Sequence, residues 1–256
     1  MLFRSTARVG AGGAGTQTAA LGFGGYATPF TTATEKYNGT SWTSVNSMNT
    51  ARSNMGSAGT QTAALGFGGY GTGRLASTES YNGTSWTSVN SMNTARAGLG
   101  GSGTQTAALG FGGTTNTPSQ SNATESWNGT SWTSLPGTMN TARSEIAAFG
   151  TQTSAVATGG SPTGASAATT TATELWNGSS WTNSGALNTS RNRSVGAGIQ
   201  TAGLAIGGYL GPPGRSNATE AFNGTSWTNY ANLATARSEG APAGTQSLAL
   251  LRSEEH

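Results

Sequence analysis

The chain has 256 residues, of which 41 are glycine and 7 are proline, and its formal net charge is only +3. It contains no cysteine and no aspartate, and its single histidine is His256, which excludes disulfide frameworks, thiolate zinc sites and catalytic relays built on an internal histidine or cysteine. The 12 cations are scattered and no apolar run reaches the length of a membrane span, so we expect neither a nucleic-acid nor a membrane partner.

Three short motifs recur in fixed order along the chain and define a repeat. The triplet Thr-Ala-Arg, or a near copy, is followed by a Gly-Thr-Gln turn and then by Asn-Gly-(Thr/Ser)-Ser-Trp, at intervals of 44 to 48 residues. A period of this length is typical of repeat proteins in which each unit buries its apolar face against the next. The triplets end at Arg8, Arg52, Arg96, Arg143, Arg191 and Arg237, and the third motif ends at Trp42, Trp86, Trp132, Trp181 and Trp227.

The sequence pattern of each complete unit predicts four short strands, and the second unit serves as the example. A small-residue strand over Ser53–Ala58 precedes the Gly-Thr turn, and a strand over Gln61–Phe67 stops at a glycine pair. A variable loop leads to Thr78–Tyr81, and an Asn-Gly turn leads from there to Thr84–Val89. We expect a two-residue type I′ turn, because both of its central residues need the positive φ that Asn and Gly tolerate. Four strands per unit, with no helical spacing of apolar residues, predict the blades of a β-propeller.

The order of these landmarks resembles the kelch repeat. Each unit carries an arginine, a strand ending in a glycine pair, an aromatic residue and, five residues later, a tryptophan. The wording Ala-Thr-Glu-x-(Tyr/Trp)-Asn-Gly-Thr-Ser-Trp is also similar to kelch-like repeats in predicted proteins of marine phages and bacteria. The resemblance implies an all-β, kelch-like β-propeller that serves as a binding or assembly scaffold. The glycine pairs begin at Gly24, Gly68, Gly112, Gly159 and Gly207, and the aromatic residues are Tyr37, Tyr81, Trp127, Trp176 and Phe222.

We predict a single propeller domain over residues 1–256, with complete repeats that start near residues 8, 52, 96, 143 and 191. A partial, two-stranded sixth repeat is expected over residues 237–251, because Ser253 and Glu254 stand where the glycine pair should fall. Either the five complete blades close into a ring and the C-terminal tail lies outside it, or all six units form the ring and another segment caps the incomplete one. The cap would be the N-terminal segment, a neighbouring subunit or a region lost by truncation. An unpaired edge invites association, so self-association through this blade is predicted as one mode of contact.

The recurring aromatic and charged residues are predicted to hold the blades together. The tryptophans and the preceding aromatic residues supply the buried area that blades of Ala, Gly and Ser otherwise lack. One glutamate per unit precedes the next repeat arginine by 17 or 18 residues. We expect partly buried ion pairs that tie each third strand to the next blade. They would join Glu35, Glu79, Glu125, Glu174 and Glu220 to Arg52, Arg96, Arg143, Arg191 and Arg237.

The loops between the second and third strands differ most between units. They cover residues 26–33, 70–77, 114–123, 161–172 and 209–218, and we expect them at the end of the propeller opposite the nearly identical turns. Variation confined to one end of a repeat array often marks its binding face, although unconstrained loops vary as well. Exposed Tyr and Arg side chains make good interface anchors. The binding residues that we single out are Tyr26, Phe30, Tyr70, Arg74, Tyr209 and Arg215.

Three classes of function follow, in order of preference. The first is a non-catalytic interaction or structural module, on a phage virion or a bacterial surface, that binds a protein or glycan surface. The second is a carbohydrate-binding, lectin-like propeller, because loops rich in Thr, Ser and Asn suit hydrogen bonding to a sugar. The third is a glycan-active hydrolase that uses Glu145 and Glu239. Some kelch propellers, of the galactose oxidase type, hold copper with Cys, His and Tyr, but this sequence lacks Cys and any interior His, so that chemistry is not expected here. We expect no enzyme activity, metal or cofactor.

Overall fold

The computed structural model describes residues 7–117, 119–165, 167–212, 214–247 and 249–252. Their regular structure consists of β-strands, and none of these residues is helical. Among them, accordingly, no helix has the length and hydropathy needed to cross a membrane. The strands form five four-stranded antiparallel sheets and two two-stranded sheets. The prediction of an all-β fold with four-stranded blades is therefore confirmed.

Twenty-four strands follow one another in the part of the chain that the structure describes, and each complete blade takes its four strands in sequence order. Blades 1 and 2 contain β1 (Gly12–Gly15), β2 (Ala20–Phe23), β3 (Thr34–Tyr37), β4 (Trp42–Val45), β5 (Gly56–Gly59), β6 (Ala64–Phe67), β7 (Thr78–Tyr81) and β8 (Trp86–Val89). A short ribbon of β9 (Arg96–Ala97) and β12 (Thr114–Thr115) flanks blade 3, which contains β10 (Gly100–Gly103), β11 (Ala108–Phe111), β13 (Thr124–Trp127) and β14 (Trp132–Leu135).

The remaining strands complete two more blades and a half-blade. Blade 4 contains β15 (Ala147–Gly150), β16 (Ala155–Thr158), β17 (Thr173–Trp176) and β18 (Trp181–Ser184). Blade 5 contains β19 (Val195–Ile199), β20 (Ala202–Ile206), β21 (Thr219–Phe222) and β22 (Trp227–Tyr230). The half-blade consists of β23 (Ala241–Gly244) and β24 (Ala249–Arg252), which match the predicted partial repeat except that β24 ends one residue beyond it.

The first strands of all six units surround a common axis. β1 contacts β5, the contacts continue through β10, β15 and β19 to β23, and β23 contacts β1. At one end of the axis, small residues from all six of these strands line a cavity of about 140 Å³. The half-blade therefore occupies a sixth position in the ring, next to five complete blades, and is not displaced from it.

A ring of backbone hydrogen bonds closes the other end of the axis. Each unit contributes one residue in the left-handed region, with φ between 51° and 65°, and its N–H donates to the carbonyl of the equivalent residue in the neighbouring unit at 2.7–3.0 Å. The Gly10 N–H donates to the carbonyl of Glu239 at 3.0 Å, so the bond joins the first unit to the sixth. The six residues are Gly10, Asn54, Gly98, Glu145, Arg193 and Glu239.

The turn between the third and fourth strands differs from the predicted one. Tyr37 pairs with Trp42, so four residues and not two form the connection, and the fourth strand starts at the tryptophan. Gly39 has a φ of 95°, but Asn38 is not among the residues with positive φ. The Asn38 Oδ1 instead accepts the N–H groups of Thr40 and Ser41 at 3.0 and 2.9 Å. Asparagine is thus required for its side-chain acceptor, and the type I′ prediction is wrong.

The bounds of the first and second strands also differ from the prediction, and a four-residue turn joins these two strands. In the second unit, Gly59 pairs with Ala64, and Thr60 and Ala63 exchange backbone hydrogen bonds across the turn. The first strand covers Gly56–Gly59 where the sequence predicted Ser53–Ala58, and the turn moves the start of the second strand from the predicted Gln61 to Ala64. The Gln61 amide, freed from the strand, donates to two backbone carbonyls of blade 1.

The apolar core lies mainly between neighbouring blades. Phe23 of blade 1 packs on Trp86 of blade 2 with ring centroids 4.8 Å apart, and Met48 and Tyr81 belong to the same cluster. The Trp86 Nε1–H donates to the hydroxyl of Thr34 in the preceding blade at 3.0 Å. The tryptophans therefore join blades through both packing and a buried hydrogen bond. The same bond joins Trp132 to Thr78, Trp181 to Thr124 and Trp227 to Thr173.

Glycine at the start of the first strand makes room for this packing. Gly12 pairs with Phe23 across the sheet, and a Cβ at Gly12 would overlap the phenylalanine ring. Blades 2 and 3 repeat the arrangement at Gly56 and Gly100. A glycine-rich strand therefore lies at the axis because it is covered by an aromatic side chain from its neighbour.

Each repeat arginine that pairs with a repeat glutamate is buried against the glutamate of its own blade. The Arg52 Nη2 donates to Glu79 Oε1 at 2.6 Å, and its Nη1 donates to two backbone carbonyls at 2.6 and 3.0 Å. Glu79 also accepts the backbone N–H groups of Asn49 and Thr50 at 2.7 and 3.1 Å. The network fastens the connection from blade 1 to the third strand of blade 2. The other pairs are Arg8–Glu35, Arg96–Glu125, Arg143–Glu174 and Arg191–Glu220.

The predicted pairing of each glutamate with the following arginine is therefore wrong. Glu35 binds Arg8 and not Arg52, and Glu220 binds Arg191 and not Arg237. The five ion pairs are also fully buried, with side chains no more than 5% exposed, where we expected partial burial. The spacing did not identify the correct partner because an arginine such as Arg52 lies between two blades, with one repeat glutamate before it and another after it in the sequence.

Candidate functional site

The variable loops between the second and third strands start beside the hydrogen-bonded axial ring. The first residue of a loop forms an antiparallel bridge with the residue after the repeat arginine, as Tyr70 does with Ser53 and Tyr209 with Asn192. The Asn-Gly turns lie at the other end, where Gly39 approaches Thr18 of the Gly-Thr-Gln turn. The loops and the axial ring thus form one end of the propeller, which we call the loop face.

A row of three aromatic rings extends across the loop face from blade 1 to blade 2. Phe30 lies 5.0 Å from Tyr26 and 5.7 Å from Tyr70, measured between ring centroids, and both contacts are edge-on. Tyr26 and Tyr70 are 42% and 41% exposed, which is unusual among the large apolar side chains of this chain. The loops of blades 1 and 2 therefore bring together three of the six residues that the sequence singled out.

Tyr70 also borders a groove of about 290 Å³, which we call the loop groove. Arg74, the fourth predicted residue, lines the same groove and forms a bridge with Tyr70 within its loop. The Arg74 Nε is buried and has no hydrogen-bond partner among the described residues. The other polar side chains of the groove are those of Asn54, Thr114, Gln120, Ser144, Glu145 and Thr163. The groove thus offers amide, hydroxyl, guanidinium and aromatic groups on one surface.

Charged side chains occupy the axial ring next to the loop groove. Arg193 lies between two carboxylates and donates to Glu145 Oε1 at 3.0 Å and to Glu239 Oε1 at 2.8 Å. Its guanidinium carbon is 6.0 Å from the centre of the Tyr209 ring. Arg193 and the two glutamates border an axial pocket of about 110 Å³. Asn54, which shares the ring, lines both the pocket and the groove, so the two cavities adjoin at the ring.

Tyr209 and Arg215 lie in the loop of blade 5 and form a bridge with each other. Arg215 is exposed, and Tyr209 is half-buried beside Arg193. Neither residue borders the loop groove, so the predicted set divides into one cluster on blades 1 and 2 and a second on blade 5.

The sequence did not single out Asn54, Gln120 or Arg193, and it named Glu145 and Glu239 only as hydrolase residues. One signal could have found four of them: the position two residues after the repeat arginine carries Asn, Glu or Arg in four units and Gly in the other two. Glu145 and Glu239 bind the same guanidinium, which holds both carboxylates at the axis. In the described part of the chain, no three His, Cys, Asp or Glu side chains converge as metal ligands.

The axial carboxylate Glu239 gives the ring a predicted pH dependence. Burial raises the pKa of Glu239, Arg193 opposes this, and the Glu145 carboxylate adds to the rise. Since the folded-state pKa lies above the unfolded one, the folded protein binds this proton more tightly. Wild type should therefore gain stability relative to Glu239→Gln as the pH falls through the raised pKa, and lose it as the pH rises. Urea unfolding of both proteins between about pH 4 and about pH 7 measures this, and a pH-independent difference would contradict it.

Comparison with known proteins gives no family for the chain. No protein-family model matches the sequence, and no curated protein matches it at a significant level.

Proposed function

We propose that this protein is a non-catalytic interaction module that binds a polar partner surface through its loop face. The observation that carries the proposal is the loop groove beside the axis, where Tyr70 and Arg74 of blade 2 meet Gln120 of blade 3. The turns at the opposite end are nearly identical in every unit, so side chains specific to one blade are concentrated at the loop face. Binding residues are commonly placed on loops that a rigid scaffold holds in position.

Backbone strain in the axial ring also supports the proposal that the loop face is the binding surface. Glu145, Arg193 and Glu239 have φ values of 54° to 59°, a region that costs a residue with a Cβ roughly 1–2 kcal/mol. Glycine occupies the equivalent position in two units, at Gly10 and Gly98, and would avoid this cost. Strained residues of this kind are concentrated at functional sites. Three charged side chains at the mouth of the axial pocket are therefore consistent with selection for recognition.

A carbohydrate is the partner that the groove favours most specifically. Sugars are recognised by aromatic faces together with amide and hydroxyl groups, and the aromatic row reaches such a set at Tyr70. The groove volume of about 290 Å³ is near the lower limit for small-molecule sites. A lectin-like role is thus the second candidate function, and a polar protein surface is the alternative partner.

Removing one exposed ring tests where binding occurs. We expect Tyr70→Ala to weaken binding to an array of immobilised glycans by about thirtyfold, the effect of losing one interface anchor of about 2 kcal/mol. Tyr230→Ala is the matched control, because Tyr230 is exposed on the outer strand β22, away from the groove. Binding that is unchanged in Tyr70→Ala would contradict the proposed site. The absence of binding to every glycan on the array would reject a carbohydrate as the partner and favour a protein surface.

We further propose that the repeats are kelch-like and that the protein acts on a phage virion or a bacterial surface. Support comes from the resemblance of the repeat wording to kelch-like repeats of marine phages and bacteria. The neighbouring genes test this proposal. Tail-fibre or capsid genes would support the virion, polysaccharide-processing genes would support the glycan partner, and housekeeping neighbours would speak against both.

A further inference from the structure

The half-blade presents one strand edge that the complete blades keep covered. In each complete blade the second strand is hydrogen-bonded on both sides, as β6 is to β5 and β7. β24 pairs with β23 on one side, and no other described strand pairs with its outer edge. A row of unpaired backbone donors and acceptors is a template for a further strand.

The side of blade 5 that faces this gap exposes residues that are covered elsewhere. Tyr230 is 58% exposed, whereas Val45, Val89 and Leu135 at the same position pack against the cluster of the next blade. Leu233 is half-buried. Its equivalents Met48, Met92, Met139 and Leu187 are 1–4% exposed. An apolar wall is therefore open on this side.

Blade 1 shows the complementary wall on the other side of the gap. Tyr37 and Trp42 stack with ring centroids 5.1 Å apart, and both are half-buried. The equivalent residues of blades 2 to 5 are 0–1% and 5–6% exposed, because the preceding blade covers them. The edge of β24 and these two walls outline the space that a third and fourth strand fill in every complete blade.

We propose that this gap is a docking site for a β-hairpin of the repeat's own type, Thr-Glu-x-(Tyr/Trp/Phe)-Asn-Gly-(Thr/Ser)-Ser-Trp. Polar groups on the walls specify two of its residues. Thr219 stands where a threonine hydroxyl accepts the tryptophan Nε1–H of the following blade in blades 1 to 4. The Ala234 N–H stands where the N–H of Asn49 donates to Glu79. A hairpin with a glutamate and a tryptophan at repeat spacing would satisfy both groups and continue the interblade interface.

The test uses the intact chain and a fluorescein-labelled peptide with the sequence of residues 77–90. We expect saturable one-to-one binding by fluorescence anisotropy, and a rise in the melting temperature of the chain with peptide concentration. Trp86→Ala in the peptide should weaken binding by about tenfold or more, since it removes the main apolar anchor. Peptide variants leave the folding of the chain untouched, so they keep the test decisive.

A matched pair of chain variants locates the site. Thr219→Val should weaken peptide binding several-fold, whereas Thr34→Val, at a position already bonded to Trp86, should leave it unchanged. Tyr70→Ala should also have no effect, which separates this proposal from that of the loop face. Absence of saturable binding, or equal binding of a scrambled peptide, would overturn the proposal. So would a dimer in sedimentation equilibrium that excludes the peptide, because a second copy would then occupy the edge.

Discussion

Glu79→Gln should lower the free energy of unfolding by about 3–5 kcal/mol, the cost of breaking a buried ion pair by removing one partner. The carboxylate is 1% exposed, and it accepts Arg52 together with two backbone N–H groups. An amide of the same shape leaves one acceptor and turns an N–H₂ group towards donors. Burial already lowers the pKa of Arg52, and Glu79 opposes that shift, so its loss leaves a desolvated guanidinium without its counter-charge. Urea denaturation followed by circular dichroism measures the change.

The control for this substitution is Glu145→Gln. Glu145 also binds an arginine, but its side chain is 21% exposed and that of Arg193 is 30% exposed. Solvent screens such pairs, so we expect a loss of about 1 kcal/mol or less. Equal effects of the two substitutions, or a change near zero at Glu79, would show that the buried network does not carry the structural role assigned to it.

The β-propeller architecture was predictable because every complete blade repeats the same sequence motifs. Arginine, glycine pair, aromatic residue and tryptophan recur in phase, and each landmark has one structural use, in the interblade cluster or in the buried ion pair. The inner strands of blades 1 to 3 are rich in glycine, which has low β-propensity, yet they form strands because a neighbouring side chain such as Phe67 covers Gly56. Periodicity therefore carried more information than local propensity.

Features that depend on contacts between units could not be predicted in the same way. Arg52 lies in the connection from blade 1 to blade 2, and the path of this connection places it beside Glu79. The spacing of residues along the sequence allowed Glu35 as a partner as well as Glu79. The axial ring imposes a left-handed backbone on residues as different as Gly98 and Arg193, so no residue type marks it in the sequence. The loop groove needs Gln120 and Tyr70 from different blades, and only ring closure brings those loops together.

Trp132→Ala should lower the free energy of unfolding by about 3–5 kcal/mol, as expected for removal of a buried large aromatic side chain. Trp132 is 6% exposed, packs 4.7 Å from Phe67 between ring centroids, and donates its Nε1–H to Thr78 at 3.0 Å. Its removal leaves a cavity between blades 2 and 3 and removes the donor that the buried Thr78 hydroxyl accepts. The loss should appear as a lower urea midpoint by circular dichroism.

Trp42→Ala is the same substitution at the same position of blade 1, where the half-blade leaves the ring half-buried. Because apolar stabilisation scales with the area removed from water, its cost should be lower than that of Trp132→Ala. Adding the peptide of residues 77–90 covers this wall, so the cost of Trp42→Ala should then rise towards that of Trp132→Ala. Equal costs without peptide would mean that the wall is already covered in solution. The pair of variants therefore measures how much of the interblade interface the open gap leaves unmade.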